Sequence, residues 1–138
     1  PIPLVQGFAE RLPFADASFD FLSMGYALRH VADLKGTFEE YRRVLRPGAT
    51  VLILDFRTPS TAVGRGLVRL YLGTLVPFLA RVAARSDKAD LLMHYCWDTV
   101  HRCVPPETIV ASMEAGGFRG VTTDSYFGVF GEYKASAA

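Results

Sequence analysis

The run Thr50-Val51-Leu52-Ile53-Leu54-Asp55-Phe56 constrains the fold more than any other part of the chain. Four consecutive aliphatic residues, two of them β-branched, predict a strand buried on both faces, as in parallel sheets flanked by helices. A second apolar run, Phe19-Asp20-Phe21-Leu22-Ser23-Met24, precedes it. Between the two, Asp33 is a helix N-cap, and Leu34, Phe38, Tyr41 and Leu45 recur at helical spacing up to Pro47-Gly48. Strand, helix and strand in about 40 residues predict a βαβ unit with a right-handed crossover. The fold class is therefore α/β, with helices expected on both faces of the sheet.

Around this unit, Leu4-Val5 before Gly7 reads as the tail of a strand. Residues 64–85 carry Leu67, Leu70, Tyr71, Leu75, Phe78 and Leu79 among Arg65, Arg69, Arg81 and Arg85, broken by Gly73 and Pro77. They predict two short helices, followed by a third over about 88–102. Pro106-Glu107 opens a further helix that stops at Gly116-Gly117, and Val121–Tyr126 and Val129–Tyr133 predict an antiparallel hairpin turning near Gly128. One domain of 138 residues is expected, with a helical lid inserted over 60–104.

Composition excludes several classes. Hydrophobic content of 50% with 21% charged residues is globular, and a net charge of +1 makes no field suited to nucleic acid. Cys96 and Cys103 form no disulfide framework, the first residues lack the pattern of a signal peptide, and Leu70 to Ala80 is too short to span a bilayer. A cytoplasmic setting is the expectation, with the arginine-studded segment 64–85 as a candidate for peripheral membrane contact. His94, Cys96, His101 and Cys103 suggest a zinc quartet, but on one helix His94 and Cys96 point about 200° apart, so no metal is expected.

In open α/β sheets, ligands sit beyond the carboxyl ends of the strands. This selects Phe8-Ala9-Glu10, Gly25 to His30, and Asp55 to Pro59. Tyr26, Arg29 and His30 crowd the second of these, and His and Arg suit proton transfer and substrate positioning. A solvated surface loop is the alternative. No phosphate-cradling glycine loop follows a strand, Gly64-Arg65-Gly66 lying well past the nearest strand end, and neither GxSxG nor HExxH occurs.

With these segments placed, Gly7-Phe8-Ala9-Glu10-Arg11-Leu12-Pro13-Phe14, Asp16-Ala17-Ser18-Phe19-Asp20 and Arg43-Val44-Leu45-Arg46-Pro47-Gly48 resemble the second half of class I S-adenosylmethionine-dependent methyltransferases. More narrowly, Ala27-Leu28-Arg29-His30-Val31, Tyr95, Pro106-Glu107-Thr108 and Ala115-Gly116-Gly117-Phe118 resemble the UbiE family, which C-methylates ubiquinone and menaquinone precursors. The resemblance implies a partial Rossmann-like sheet, part of the order 3-2-1-4-5-7-6, with S-adenosylmethionine as cofactor and an apolar small molecule as methyl acceptor.

Carried over residue by residue, the family's adenine-holding Asp/Asn-Ala pair falls on Phe8 and Ala9, and a residue at the cofactor's edge falls on Gly25. The Arg-Asn pair near the quinol falls on Arg29 and His30, with Tyr26 beside them, so these three are the expected catalytic residues. Phe8 forfeits a carboxylate hydrogen bond worth about 1.5–3 kcal/mol, and Tyr133 stands where the family usually has a His. The resemblance places the glycine-rich loop and the ribose-binding acid ahead of Pro1. The chain is accordingly expected either to self-associate through an apolar edge at residues 20–25 or to lack an amino-terminal half. The alternative to an enzyme is a non-catalytic module binding a partner, or itself, through that edge.

Overall fold

The computed structural model describes residues 2–59, 61–75 and 103–138. Its first regular element is β1 (Phe19–Gly25), followed by a 3-10 turn at Leu28–His30, α1 (Leu34–Val44) and β2 (Leu45–Phe56). Helix α2 (Ala62–Leu70) continues into a π turn at Tyr71–Leu75. Helix α3 (Pro106–Ala115), β3 (Phe118–Tyr126) and β4 (Phe130–Ala137) complete the described chain.

β1 and β2 pair in parallel around the α1 crossover, as expected of a βαβ unit. The full order is β1-β2-β4-β3, with β4 antiparallel to both neighbours. This order and these directions match the 4-5-7-6 portion of the sheet that the resemblance implies, with the expected hairpin. Asp33 caps α1, its carboxylate accepting from the Gly36 N–H at 3.0 Å. Thr61 caps α2 in the same way through Gly64.

Alternate residues divide the sheet into two unlike faces. Val51, Ile53, Asp55, Tyr133, Ala135 and Ala137 are buried, and Phe38 and Tyr41 of α1 with Ile109 and Met113 of α3 pack over them. On the opposite face Leu52, Leu54 and Phe56 are only half-buried. Among the described residues, then, helices cover one face and not both. The apolar runs did not reveal this because an aliphatic residue reads alike on either face. For the same reason β1 is not buried on both sides: it is an edge strand, and Phe21 is 52% exposed.

Three further expectations change. Leu4-Val5 forms no strand, since no described segment pairs with it and Leu4 is 95% exposed. β2 starts at Leu45, before the expected stop at Pro47-Gly48, because Leu45 pairs with Phe19 and the ladder absorbs the turn as a register shift. β4 runs on to Ala137, where Ala135 and Ala137 are small enough for the sheet to lie close under the helices. The later helices expected over 64–85 and 88–102, and three of the four zinc-quartet residues, lie outside the described residues.

Candidate active site

The carboxyl ends of β1 and β2 lie side by side, and the chain leaving β1 crosses above them. Tyr26 extends the ladder by one bond, its N–H donating to Leu54 O at 2.7 Å, and takes a left-handed φ of 57°. For a tyrosine that conformation costs about 1–3 kcal/mol, so the surrounding contacts must hold it. It turns the ring onto Phe56, 4.9 Å between centroids, and toward Phe130 at 6.3 Å. Phe56 and Phe130 are themselves 5.5 Å apart, and the three rings form an aromatic cluster at the site end of the half-covered face.

Arg29 and His30 follow in the 3-10 turn, anchored by Leu28, which is 1% exposed. Arg29 Nη1 donates to Tyr26 O at 2.9 Å, tying the turn to the end of β1. Both residues act electrostatically on Asp55, at the end of β2 on the core face. The structure thus brings Arg29 and His30 together, while the Tyr26 ring belongs to the other face and meets them only through its backbone.

Asp55 was within the segment selected by the strand-end rule but not singled out as a site residue. It is the one buried charged residue among those described, 3% exposed, and accepts a 2.8 Å hydrogen bond from the Phe56 N–H. Burial pushes its carboxyl above the usual carboxylate range, against the pull of that N–H and of Arg29 and His30. Cys103, leading into α3, is raised to about 11 by burial and by the Asp55 charge, with Arg29 opposing. The legible signal was an acid inside an apolar run, where a solvated role is excluded.

Of the expected cofactor residues, Phe8 and Ala9 lie in the loop ahead of β1 and Gly25 ends it. Ala9 packs against the core, whereas the Phe8 ring beside it is 79% exposed. A tight turn sets them in place, Arg11 N–H donating to Phe8 O at 3.1 Å. This loop is bolted to α1 by Arg43, which donates to Leu12 O, Phe14 O, Asp16 and Glu40, while Glu40 accepts from Leu12 N–H. The Arg43 guanidinium holds the Glu40 carboxyl below its usual range despite some desolvation. At Gly25, an added Cβ would meet nothing within 4 Å, so a flat ligand can approach this backbone closely. Gly25 offers open backbone and Phe8 an exposed aromatic ring, two features that an adenosyl group could use. Among the described residues no group of three His, Cys, Asp or Glu is placed to hold a metal.

The fold and site together define a class I methyltransferase architecture. A methyltransferase of Aquifex aeolicus superimposes with a TM-score of 0.64 at 13% identity, over 99% of this chain and 55% of that one. A Thermotoga maritima protein described as a possible histamine N-methyltransferase gives 0.63 at 18% identity, over 97% and 63%. Residues 1–135 match the ubiE/COQ5 methyltransferase family, to which this chain belongs. Among its relatives, the demethylmenaquinone methyltransferase of Mycolicibacterium paratuberculosis is 35% identical over 121 residues, 87% of this chain and 51% of that protein. Its counterpart in a Roseiflexus species is 36% identical over 118 residues, covering 86% and 48%. The chain spans about half the length of the curated relatives it matches.

Proposed function

We propose that this chain forms the acceptor-side half of an S-adenosylmethionine-dependent methyltransferase acting on an apolar, quinol-like small molecule. The observation that carries this is the parallel pairing that sets the carboxyl ends of β1 and β2 side by side, with Tyr26, Arg29 and His30 following β1, Asp55 near the end of β2 and open backbone at Gly25. S-adenosylmethionine, when bound, supplies an electrophilic methyl group for direct displacement. Gly25 and Ala9 would border it, with the Phe8 ring against the adenine in place of a carboxylate. Arg29 orients the acceptor and stabilises the negative charge that develops on it as its proton leaves, and His30 is the nearby group able to take that proton. Relatives named for demethylmenaquinone methylation support the quinol-like class.

Calorimetric titration of S-adenosylmethionine into the chain tests the cofactor half of this proposal. Saturable micromolar binding is expected if these residues suffice or if association rebuilds the cradle, and methyl transfer to reduced quinones is then assayed with Arg29→Ala as control. Unchanged kcat in that variant would remove Arg29 from the mechanism.

A specific observation favours a second reading, a binding module. Among the described residues nothing pairs with the outer edge of β1, which borders a groove of about 320 Å³ lined by Leu12, Phe14, Phe21, Leu22, Met24 and Tyr41. Self-association through that edge would appear as a dimer in sedimentation, and a monomer would oppose it. Peripheral membrane contact through 64–85 is the remaining part of the proposal. Val63, Leu67, Leu70 and Tyr71 are exposed at helical spacing, while no described helix is long and apolar enough to cross a membrane.

A further inference from the structure

Tyr133 is the largest fully buried side chain among the described residues, 1% exposed, and its hydroxyl has no hydrogen-bond partner among them. Leaving a phenol hydroxyl unmatched in the interior is unfavourable, so a group in this state calls for an explanation. A Cβ added at Gly131 would lie 3.0 Å from the Tyr133 oxygen, so the phenol lies along the strand toward the site end, over a position kept bare by glycine.

Gly131 is the register partner of Asp55. Directly opposed positions of antiparallel strands place their Cβ atoms about 5 Å apart, so the Tyr133 hydroxyl and the Asp55 carboxylate are neighbours on the same buried face. They are nonetheless too far apart to bond, since the hydroxyl has no described partner. The carboxylate accepts one bond, from the Phe56 N–H, out of about four that it can accept. A donor without a partner among the described residues and an acceptor with spare capacity thus lie near each other toward the end of the sheet. A single oxygen bearing a proton would satisfy both.

We propose that Tyr133 and Asp55 together recognise a hydroxyl group of the methyl acceptor, whose oxygen accepts from the Tyr133 O–H and whose hydrogen is donated to the Asp55 carboxylate. This rests on the acceptor site lying where the preceding section places it. The groups around the pair are Arg29 and His30 in the 3-10 turn, Cys103 ahead of α3, Glu107 on α3 and Arg57 after β2. The pair acts as a specificity device: an acceptor ring without the hydroxyl leaves two buried polar groups unmet, and sites of this kind reject such analogues strongly.

The test uses 1-naphthol and 1-methoxynaphthalene, of similar shape but with and without the donated hydrogen, titrated into the 138-residue chain by fluorescence. In parallel, the Asp55 carboxyl carbon, assigned by its loss in Asp55→Asn, is followed by NMR across pH. Preference for the naphthol by roughly tenfold or more is expected, as a hydrogen bond to a charged group is worth about 1.5–3 kcal/mol. Naphthol should also lower the Asp55 titration midpoint, because a donated hydrogen bond favours the charged carboxylate. Tyr133→Phe and Asp55→Asn should each reduce the preference to near unity while keeping the wild-type circular dichroism. Equal binding of both ligands to the wild type, with an unmoved Asp55 midpoint, would overturn the assignment and mean that the gap takes only water. Binding of neither ligand would overturn the acceptor-site reading and the assignment with it, a failure told apart from the first because no affinity is then measured.

Discussion

Gly116 permits a prediction whose sign is decided by geometry. The residue ends α3 with an ordinary φ of −77°, so alanine fits its backbone. Judged on chain entropy alone, Gly116→Ala should stabilise the fold by about 0.4–1 kcal/mol. The packing says the opposite. An added Cβ would sit 2.6 Å from Phe38 Cβ, 3.1 Å from the Phe38 carbonyl carbon and 3.2 Å from the Glu39 nitrogen. Two of these atoms are backbone in the middle of α1, and the third is fixed to it, so relief requires the helices to separate. Overpacking of this kind costs about 1–3 kcal/mol, which outweighs the entropic gain and leaves a net loss of about 1–2 kcal/mol. For a domain of this size the melting temperature should fall by roughly 4–8 °C. Gly66 in α2 is the internal control, since a Cβ there meets nothing within 4 Å. Gly66→Ala should be neutral or gain up to about 1 kcal/mol from helix propensity. Urea melts of both variants with a common slope would measure the two changes. A Gly116→Ala protein as stable as the wild type would refute the rigid α1–α3 contact.

Other consequences concern charge. The raised Asp55 carboxyl binds its proton more tightly folded than unfolded, so its contribution to stability falls as pH rises from about its unfolded value of 3.8 to its folded midpoint. Asp55→Asn should flatten the urea midpoint over that interval and be at least as stable as wild type at pH 7. Glu40 behaves in reverse: its depressed carboxyl adds stability above its unfolded value of 4.5, lost as pH falls through the folded one. Glu40→Gln should therefore lose stability at pH 7 and converge on wild type in acid. Arg43→Met should speed amide exchange of Leu12, whose N–H is bonded to the Glu40 that Arg43 holds, while Val51 and Ile53 stay protected. Cys103, with its thiol near 11, should react with iodoacetamide at pH 8 through a thiolate fraction on the order of one thousandth, and rapidly once urea unfolds a Cys96→Ser background.

The βαβ unit was legible because each of its parts carries a separate local signal: an aliphatic run, a capped amphipathic helix, a second run. What was not legible depends on contacts distant in sequence. Pro47-Gly48 reads as a stop on local grounds, yet Leu45 is drawn into β2 by pairing with Phe19. Ala135 and Ala137 look like a tail until α1 and α3 are seen above them. Gly116 reads as helix punctuation, and its closeness to Phe38 appears only in three dimensions. At the site, the strand-end rule selects the segment that holds Tyr26, Arg29 and His30. It could not foresee that a left-handed Tyr26 sends its ring to the opposite face, or that Asp55 and Tyr133, 78 positions apart in the numbering, meet across a β ladder.

Among the described residues no strand pairs with the outer edge of β1, and this has a consequence in symmetry. A sheet with two open borders can join copies in two ways. Joining β1 of one copy to β3 of the next is heterologous and leaves a fresh border each time, so growth has no end. Here β3 resists that role: its register shifts between Arg119 and Thr122, and Arg119, Thr123 and Asp124 stand exposed along it. Such irregular, charged borders discourage further pairing. Joining β1 to β1 about a two-fold axis instead consumes both apolar borders at once and yields a closed, eight-stranded sheet bounded on each side by a β3. Association through this edge would therefore stop at two copies and leave no filament to grow.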